Sequence, residues 1–187
     1  MESLLHFLNS IYPMSDDLVL HLSQILKTKE LRKRDYLLKA GHICRIICFI
    51  KIGLMRCFYI KGDNEVCSWF MKEGDVIVSI ESFFEQKESY ESIQALEECT
   101  LYYIEYKELQ NIYRQFPEFN FIGRVLTEKY YKLWAQQLHG LRMQPAADRY
   151  KWLLQNHPEL ILRVHAKYLA SWLGITEVML SKIKARK

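Results

Sequence analysis

Residues 166–183 read Ala-Lys-Tyr-Leu-Ala-Ser-Trp-Leu-Gly-Ile-Thr-Glu-Val-Met-Leu-Ser-Lys-Ile, and their spacing predicts two short helices joined by a tight turn. Leu169 and Leu173 supply the apolar face of the first helix, Leu180 and Ile183 that of the second, and Ile175 sits at the corner. Ala170 stands where the helices press closest and a small side chain is needed. Gly174, four positions on, stands where the turn needs a positive φ. Thr176 then offers a hydroxyl N-cap to the second helix. The pattern is that of a helix-turn-helix; the competing reading is an ordinary pair of core helices.

Charge favours the first reading. Residues 141–187 carry nine Lys or Arg against three Asp or Glu, whereas residues 1–140 carry seventeen against nineteen, so the basic charge is segregated. Lys182, Lys184, Arg186 and Lys187 follow the second helix to its end, as phosphate contacts to a polyanion would. A basic tail that only solubilises the helix is the alternative.

The rest of the chain is bounded by its composition. Its 187 residues, half of them hydrophobic, suit one large or two small domains with a proper core. There is no window of about eighteen uncharged apolar residues to span a membrane, and the Met-Glu-Ser-Leu start lacks the basic opening of a signal peptide. A cytoplasmic location is expected. Cys44, Cys48, Cys57, Cys67 and Cys99 are odd in number and scattered through apolar segments, which suits buried reduced thiols rather than a disulfide framework. Cys44 and Cys48 can face one way on a strand, but no further Cys or His spacing completes a metal site.

Apolar periodicity changes along the chain. Leu4, Leu5 and Leu8, then Leu18, Leu22, Ile25 and Leu26 after Pro13, predict two short helices over residues 3–28. From about Leu31 to Tyr106 short β-branched and aromatic runs follow, at Ile43–Ile50, Leu54–Ile60, Val66–Met71 and Leu101–Ile104, punctuated by Gly41, Gly53, Gly62 and Gly74. This texture predicts an antiparallel roll or jelly roll. A short helix is expected over Tyr106–Ile112, and Pro117 opens a longer one. On it Phe119, Ile122, Leu126, Tyr130, Leu133 and Leu141 make a stripe broken only by Gln137. A stripe that long is expected to meet the same helix of a second copy, the alternative being the chain's own roll. Gly140 and Pro145 mark a hinge, placing a boundary within Gly140–Gln144. The expected division is a sensor domain over 1–116, a dimerisation helix over 117–140 and a helix-turn-helix domain over 141–187.

This order of parts resembles the Crp/Fnr regulators, the family of the cAMP receptor protein, over nearly the whole chain. Tyr36-Leu37-Leu38-Lys39-Ala40-Gly41, Phe49-Ile50-Lys51-Ile52-Gly53 and Lys72-Glu73-Gly74-Asp75 look like the family's successive turns, and Asp148-Arg149-Tyr150 to Leu154 like the start of its DNA-binding domain. Lys167 to Thr176 with Leu180-Ser181-Lys182-Ile183 is most similar to its short Bacteroidetes-type members. The resemblance implies an α+β fold: flanking helices around an antiparallel, jelly-roll-like cyclic-nucleotide-binding β-roll, a long dimerisation helix and a C-terminal helix-turn-helix. It further implies a homodimeric bacterial transcription regulator that binds double-stranded DNA at an inverted-repeat operator, with RNA polymerase as a candidate partner.

At the roll the residues depart from the family. Its phosphate cassette places a Glu on the ribose and an Arg on the cyclic phosphate. The matching positions here are Ser79 and Ser89, next to Ile80, Glu81 and Tyr90, with Glu85, Glu88 and Glu91 opposed by Lys87 alone. On the long helix the positions that approach the purine correspond to Trp134 and Ala135, near Tyr130, and the indole is expected to fill that space. Arg56 and Lys87 are the remaining cations, each at a position expected to face solvent. No cAMP, haem or iron–sulfur cofactor is therefore expected; no Cys precedes Cys44, and His42 is the only His between His21 and His139. No catalytic set stands out, and an enzyme is not expected.

In this family the second helix, Thr176 to about Lys187, enters the major groove and reads bases near its start. Glu177 suits a cytosine amino group, Val178 a thymine methyl and Lys182 a guanine, with Ser181 beside them and Lys184 and Arg186 on phosphates. A solvated Glu177 is an equal alternative. The sequence stops after this helix, so the β-wing of many relatives is not expected. A degenerate member that acts by protein contact is the competing function.

Overall fold

The computed structural model describes residues 1–185; Arg186 and Lys187, both among the expected phosphate contacts, lie outside the described residues. Two compact units emerge: Met1–Cys57 with Phe70–Lys129, and Phe58–Trp69 with the chain from Tyr130 onward.

The first unit opens with α1 (Glu2–Ile11) and α2 (Asp16–Ile25), which bury Leu4, Leu8, Leu18 and Leu22. Ser15 caps α2, its Oγ accepting from the Leu18 amide at 3.2 Å. The strands follow: β1 (Lys27–Leu31), β2 (Tyr36–Leu38), β3 (Ile46–Ile52), β4 (Met55–Lys61), β5 (Asn64–Met71), β6 (Val76–Ile77), β7 (Glu91–Ala95) and β8 (Cys99–Glu105). They form two four-stranded sheets, β1-β8-β3-β6 and β2-β7-β4-β5, so the class is α+β with an antiparallel roll, as expected. A short helix, α3 (Ile80–Glu85), interrupts the roll between β6 and β7.

β1 was not anticipated. Its sequence Lys-Thr-Lys-Glu-Leu buries only Leu31, because it is an edge strand that pairs with β8 alone, from Lys27↔Tyr103 to Leu31↔Cys99. Leu26, expected in a helix, instead caps α2 in an extended conformation. Gly41, Gly53, Gly62 and Gly74 all take positive φ between elements. At Gly53 the requirement is absolute: with φ of +107°, an added Cβ would lie 2.5 Å from the Cys99 Sγ and 2.6 Å from the Glu98 carbonyl oxygen.

α4 (Tyr106–Gln115) starts on a capping box between Glu105 and Glu108. α5 (Pro117–Met143) starts at the proline, as expected, and continues through Gly140. Its end coincides with Pro145, which lacks an N–H and disfavours helical backbone before it. Phe119 and Ile122 are buried, Leu126, Tyr130 and Leu133 half-buried, and Leu141 exposed. The other exposed large apolar side chains in the second half of α5 are Tyr131, Trp134 and Met143. The second unit is completed by α6 (Ala146–Asn156), α7 (Pro158–Arg163), α8 (Ala166–Trp172) and α9 (Glu177–Ala185).

Candidate functional site

The turn between α8 and α9 closes as its residues require. The Gly174 amide donates to the Ser171 carbonyl and the Ile175 amide to the Ala170 carbonyl, both at 3.0 Å, which satisfies two of the carbonyls left over at the end of α8. Gly174 has φ of +66°, and a Cβ there would sit 3.2 Å from the Leu141 Cδ2. The Thr176 Oγ1 accepts from the Met179 amide at 3.2 Å and so caps α9. Leu169, Ala170, Trp172, Leu173 and Leu180 are buried.

Burial of one face leaves the other to solvent. Thr176, Glu177, Val178, Ser181, Lys182 and Lys184 are all exposed, Val178 by 65%, so the expected base-reading positions share one open helix surface. Met179, overlooked in the sequence, is 45% exposed beside them.

Three further residues hold this unit together without an advance signal. The Arg149 guanidinium donates from Nε to the Leu173 carbonyl at 2.9 Å and from Nη1 to the Gln144 carbonyl at 2.5 Å. The Ser171 Oγ accepts from the Cys67 amide at 2.9 Å and donates to the Glu65 carbonyl at 3.2 Å, while the Gln137 Nε2 donates to the Ser68 carbonyl at 2.9 Å. Gln137, which looked like a break in the apolar stripe, is thus bonded to β5.

In the first unit, Ser79 and Ser89 come together. Both are buried, 3% and 4% exposed, with their Oγ atoms 2.9 Å apart. The Ser89 Oγ also donates to the Glu91 carbonyl at 2.8 Å and accepts from the Glu91 amide at 3.1 Å. Burial pushes the Glu91 carboxyl above its usual range, against a hydrogen bond from Ser79 that lowers it. The loop is stitched to the preceding turn: the Ser82 Oγ accepts from the Cys44 amide at 2.8 Å, and the Gln86 Nε2 donates to the Cys44 carbonyl at 3.2 Å.

The other cassette residues stand outside this cluster. Ile80 and Tyr90 are exposed, and Lys87 bonds Glu81 and lies 2.9 Å from Glu85. Bonds from Lys87 and then Tyr90 hold the Glu81 carboxyl low, and the glutamates hold the Lys87 ammonium high. Tyr130 and Trp134, expected at the same pocket, belong to the second unit. Trp134 is 57% exposed.

Arg56 departs from its expected place. Expected to face solvent, it is 1% exposed, and its Nε and Nη2 donate to the Gln94 Oε1 at 3.0 and 2.7 Å. The reason is that Met55, Arg56, Cys57 and Phe58 are buried in succession, so β4 is covered on both faces and alternation does not send Arg56 outward. The five cysteines are buried and none is in a disulfide. Burial raises the Cys44, Cys48 and Cys99 thiols, Cys99 to about 11, which makes them poor nucleophiles. Among the described residues no three His, Cys, Asp or Glu side chains are grouped to hold a metal ion, and no helix is long and apolar enough to cross a membrane.

Comparison with known proteins places this geometry. Residues 28–116 match the cyclic nucleotide-binding domain family. A CooA mutant from Carboxydothermus hydrogenoformans is similar in structure, with a TM-score of 0.71 at 21% identity over 92% of this chain and 78% of that one. The c-di-GMP responsive global regulator CLP of Xanthomonas campestris gives 0.73 at 16% over 92% and 91% of the two chains, and FixK2 of Bradyrhizobium japonicum 0.73 at 14% over 87% and 84%. No curated protein sequence matches. The family match covers the roll, and the chain as a whole has the fold of these solved structures.

Proposed function

We propose that the chain is a homodimeric, DNA-binding transcription regulator of the Crp/Fnr type whose roll does not take cAMP or cGMP. The observation that carries the reading is the capped, one-sided α9: its buried face is anchored by Leu180, and its open face gathers Glu177, Val178, Ser181, Lys182 and Lys184. A helix of this kind suits the major groove, with cations for phosphates and short polar side chains for base edges. Dimerisation is assigned to α5, along an edge that shares only Leu141 with the stripe expected from the sequence, Phe119 and Ile122 being buried; here Tyr131, Trp134 and Leu141 are exposed and Leu138 half-buried. These positions lie at helical steps of three and four and line one edge of the helix.

Against a cyclic nucleotide stands the chemistry of the cassette. Truncating one partner of a buried charge pair costs about 2–5 kcal/mol, or roughly 30-fold to several-thousand-fold in affinity. Here both charged ligand positions are serines bonded to each other. Lys87 is engaged with Glu81 and Glu85, and Arg56 with Gln94. An effector of this roll is of another class; CLP, for comparison, is c-di-GMP responsive.

Selection of genomic fragments tests the DNA reading. The expected result is an inverted repeat with half-site centres roughly 34 Å apart, bound less tightly as salt rises. Failure to enrich any sequence would move the assignment to a member acting by protein contact. Sedimentation tests the seam: Tyr131→Glu with Trp134→Glu should turn a dimer into monomers. Calorimetry with millimolar cAMP and cGMP should show no binding. A low-micromolar dissociation constant, lost in Arg56→Lys, would make Arg56 the phosphate ligand and overturn the pocket assignment.

A further inference from the structure

Only Gln144 and Pro145 separate the last residue of α5 from the first of α6, so the joint between the long helix and the helices behind it is two residues long. The Gln144 carbonyl lies beyond the end of α5, where the next amide that would continue the helix, that of Asp148, is instead given to Pro145. The Leu173 carbonyl is in the same position at the end of α8. Carbonyls at helix ends lack intrahelical donors and carry the negative end of the helix dipole. Both are met by one side chain, Arg149, at 2.5 Å and 2.9 Å. The Cβ that Gly174 lacks would lie 3.9 Å from its remaining nitrogen, Nη2.

We infer that Arg149 is a positioning residue for DNA recognition, which fixes the angle between α5 and α9 and thereby the spacing of the half-sites the dimer accepts. Leu173 stands three residues before Thr176, the cap of α9, so a guanidinium bonded to both Gln144 and Leu173 ties the start of α9 to the end of α5. The planar fork is what lets one group serve two carbonyls in different directions; a lysine ammonium is a point charge on a looser stem. In a dimer built on α5, any looseness at this joint enters twice, once per subunit, in the separation of the two α9 helices. Among the described residues the Arg149 guanidinium bonds Leu173 and Gln144 and none of the expected base or phosphate positions, which separates this role from that of Lys182 or Lys184.

This inference rests on the proposed DNA reading, and two measurements keep the two apart. Spin labels at His139→Cys and Lys184→Cys, both exposed positions, report the α5–α9 distance without DNA, the native cysteines being buried. The labelled protein is diluted into unlabelled protein. Arg149→Met should broaden the distance distribution about twofold and Arg149→Lys by less, since lysine recovers one charge-assisted bond of two. In parallel, affinity is measured for the selected repeat, for repeats with a base pair added or removed, and for a single half-site. Arg149→Met should lower the preference for the selected spacing about tenfold while leaving half-site affinity nearly unchanged. Unchanged distances overturn the inference, as does an equal loss on repeat and half-site, which would mark Arg149 as merely structural. If the unmodified protein selects no sequence, the DNA reading fails by itself, and the distances decide whether Arg149 sets the position of α9.

Discussion

In the loop from Ser79 to Glu91 three serines turn inward: Ser79 bonds Ser89, Ser89 the Glu91 backbone, and Ser82 the Cys44 amide. Along α9 they do the reverse, with Glu177, Ser181, Lys182 and Lys184 standing in solvent. A buried hydroxyl must find partners, and the Ser89 Oγ, bonded to Ser79 and to the carbonyl and amide of Glu91, has its donor and both lone pairs engaged. Exposed groups keep their bonding capacity at little cost to stability. The contrast leaves the bonding capacity at the α9 end open and closes it at the Ser79–Ser89 end.

The contrast can be broken most severely at the roll. Gly53→Ala, which drives a Cβ into the Cys99 and Glu98 backbone, should cost about 3 kcal/mol or more, read as a melting-temperature loss of roughly 6 °C or more. A smaller loss would show that the β3–β4 turn can shift. At the other end, Lys182→Ala with Lys184→Ala should lower DNA affinity by about one to two decades at moderate salt. It should also make the log–log salt slope shallower by up to about 4, for two cations in each of two subunits. An unchanged slope would place the phosphate contacts elsewhere.

Gly174→Ala should cost about 1 kcal/mol, because it forces an L-residue to positive φ beside Leu141, and should lower the melting temperature by roughly 2–4 °C. An unchanged melting temperature would show that the α8–α9 turn absorbs the methyl group. The smallest effect concerns Glu91. Its carboxyl is raised by burial, so its contribution to stability is complete below the ordinary glutamate range and is lost as pH rises through the raised value. Glu91→Gln should therefore melt higher than the unmodified protein at pH 7, with the gap closing below about pH 4. Equal melting at both pH values would mean that the Ser79 bond to Glu91 offsets the cost of its burial.

The legible part of the fold was the part written in apolar periodicity. Leu18 and Leu22, Cys48–Ile50 within the expected run Ile43–Ile50, and Leu169 with Leu180 are all buried as their spacing predicts. β7 was hidden because Glu91, Ser92 and Gln94 give it no apolar run; Ser92 instead accepts from the Ala40 amide at 3.0 Å and Gln94 from Arg56. In both cases the burial of a polar group depends on a partner distant in sequence, as between Arg56 and Gln94, and local patterning carries no record of it. The α9 residues were legible because exposure and capping are local. Arg149 was not, since its bond to Leu173 crosses twenty-four residues.

The bonds from Ser171 and Gln137 to β5 have a bearing on how the chain behaves in a crowded solution. β5 is the terminal strand of its sheet, and an open strand edge is a template for pairing with another chain. Here the Cys67 amide and the Glu65 and Ser68 carbonyls are taken by side chains from two helices. A blocker made of side chains can leave without unravelling the sheet it covers. Whatever lifts α8 from β5 therefore bares a ready-made pairing edge, and the same serine that settles a helix in place also guards the protein against aggregation.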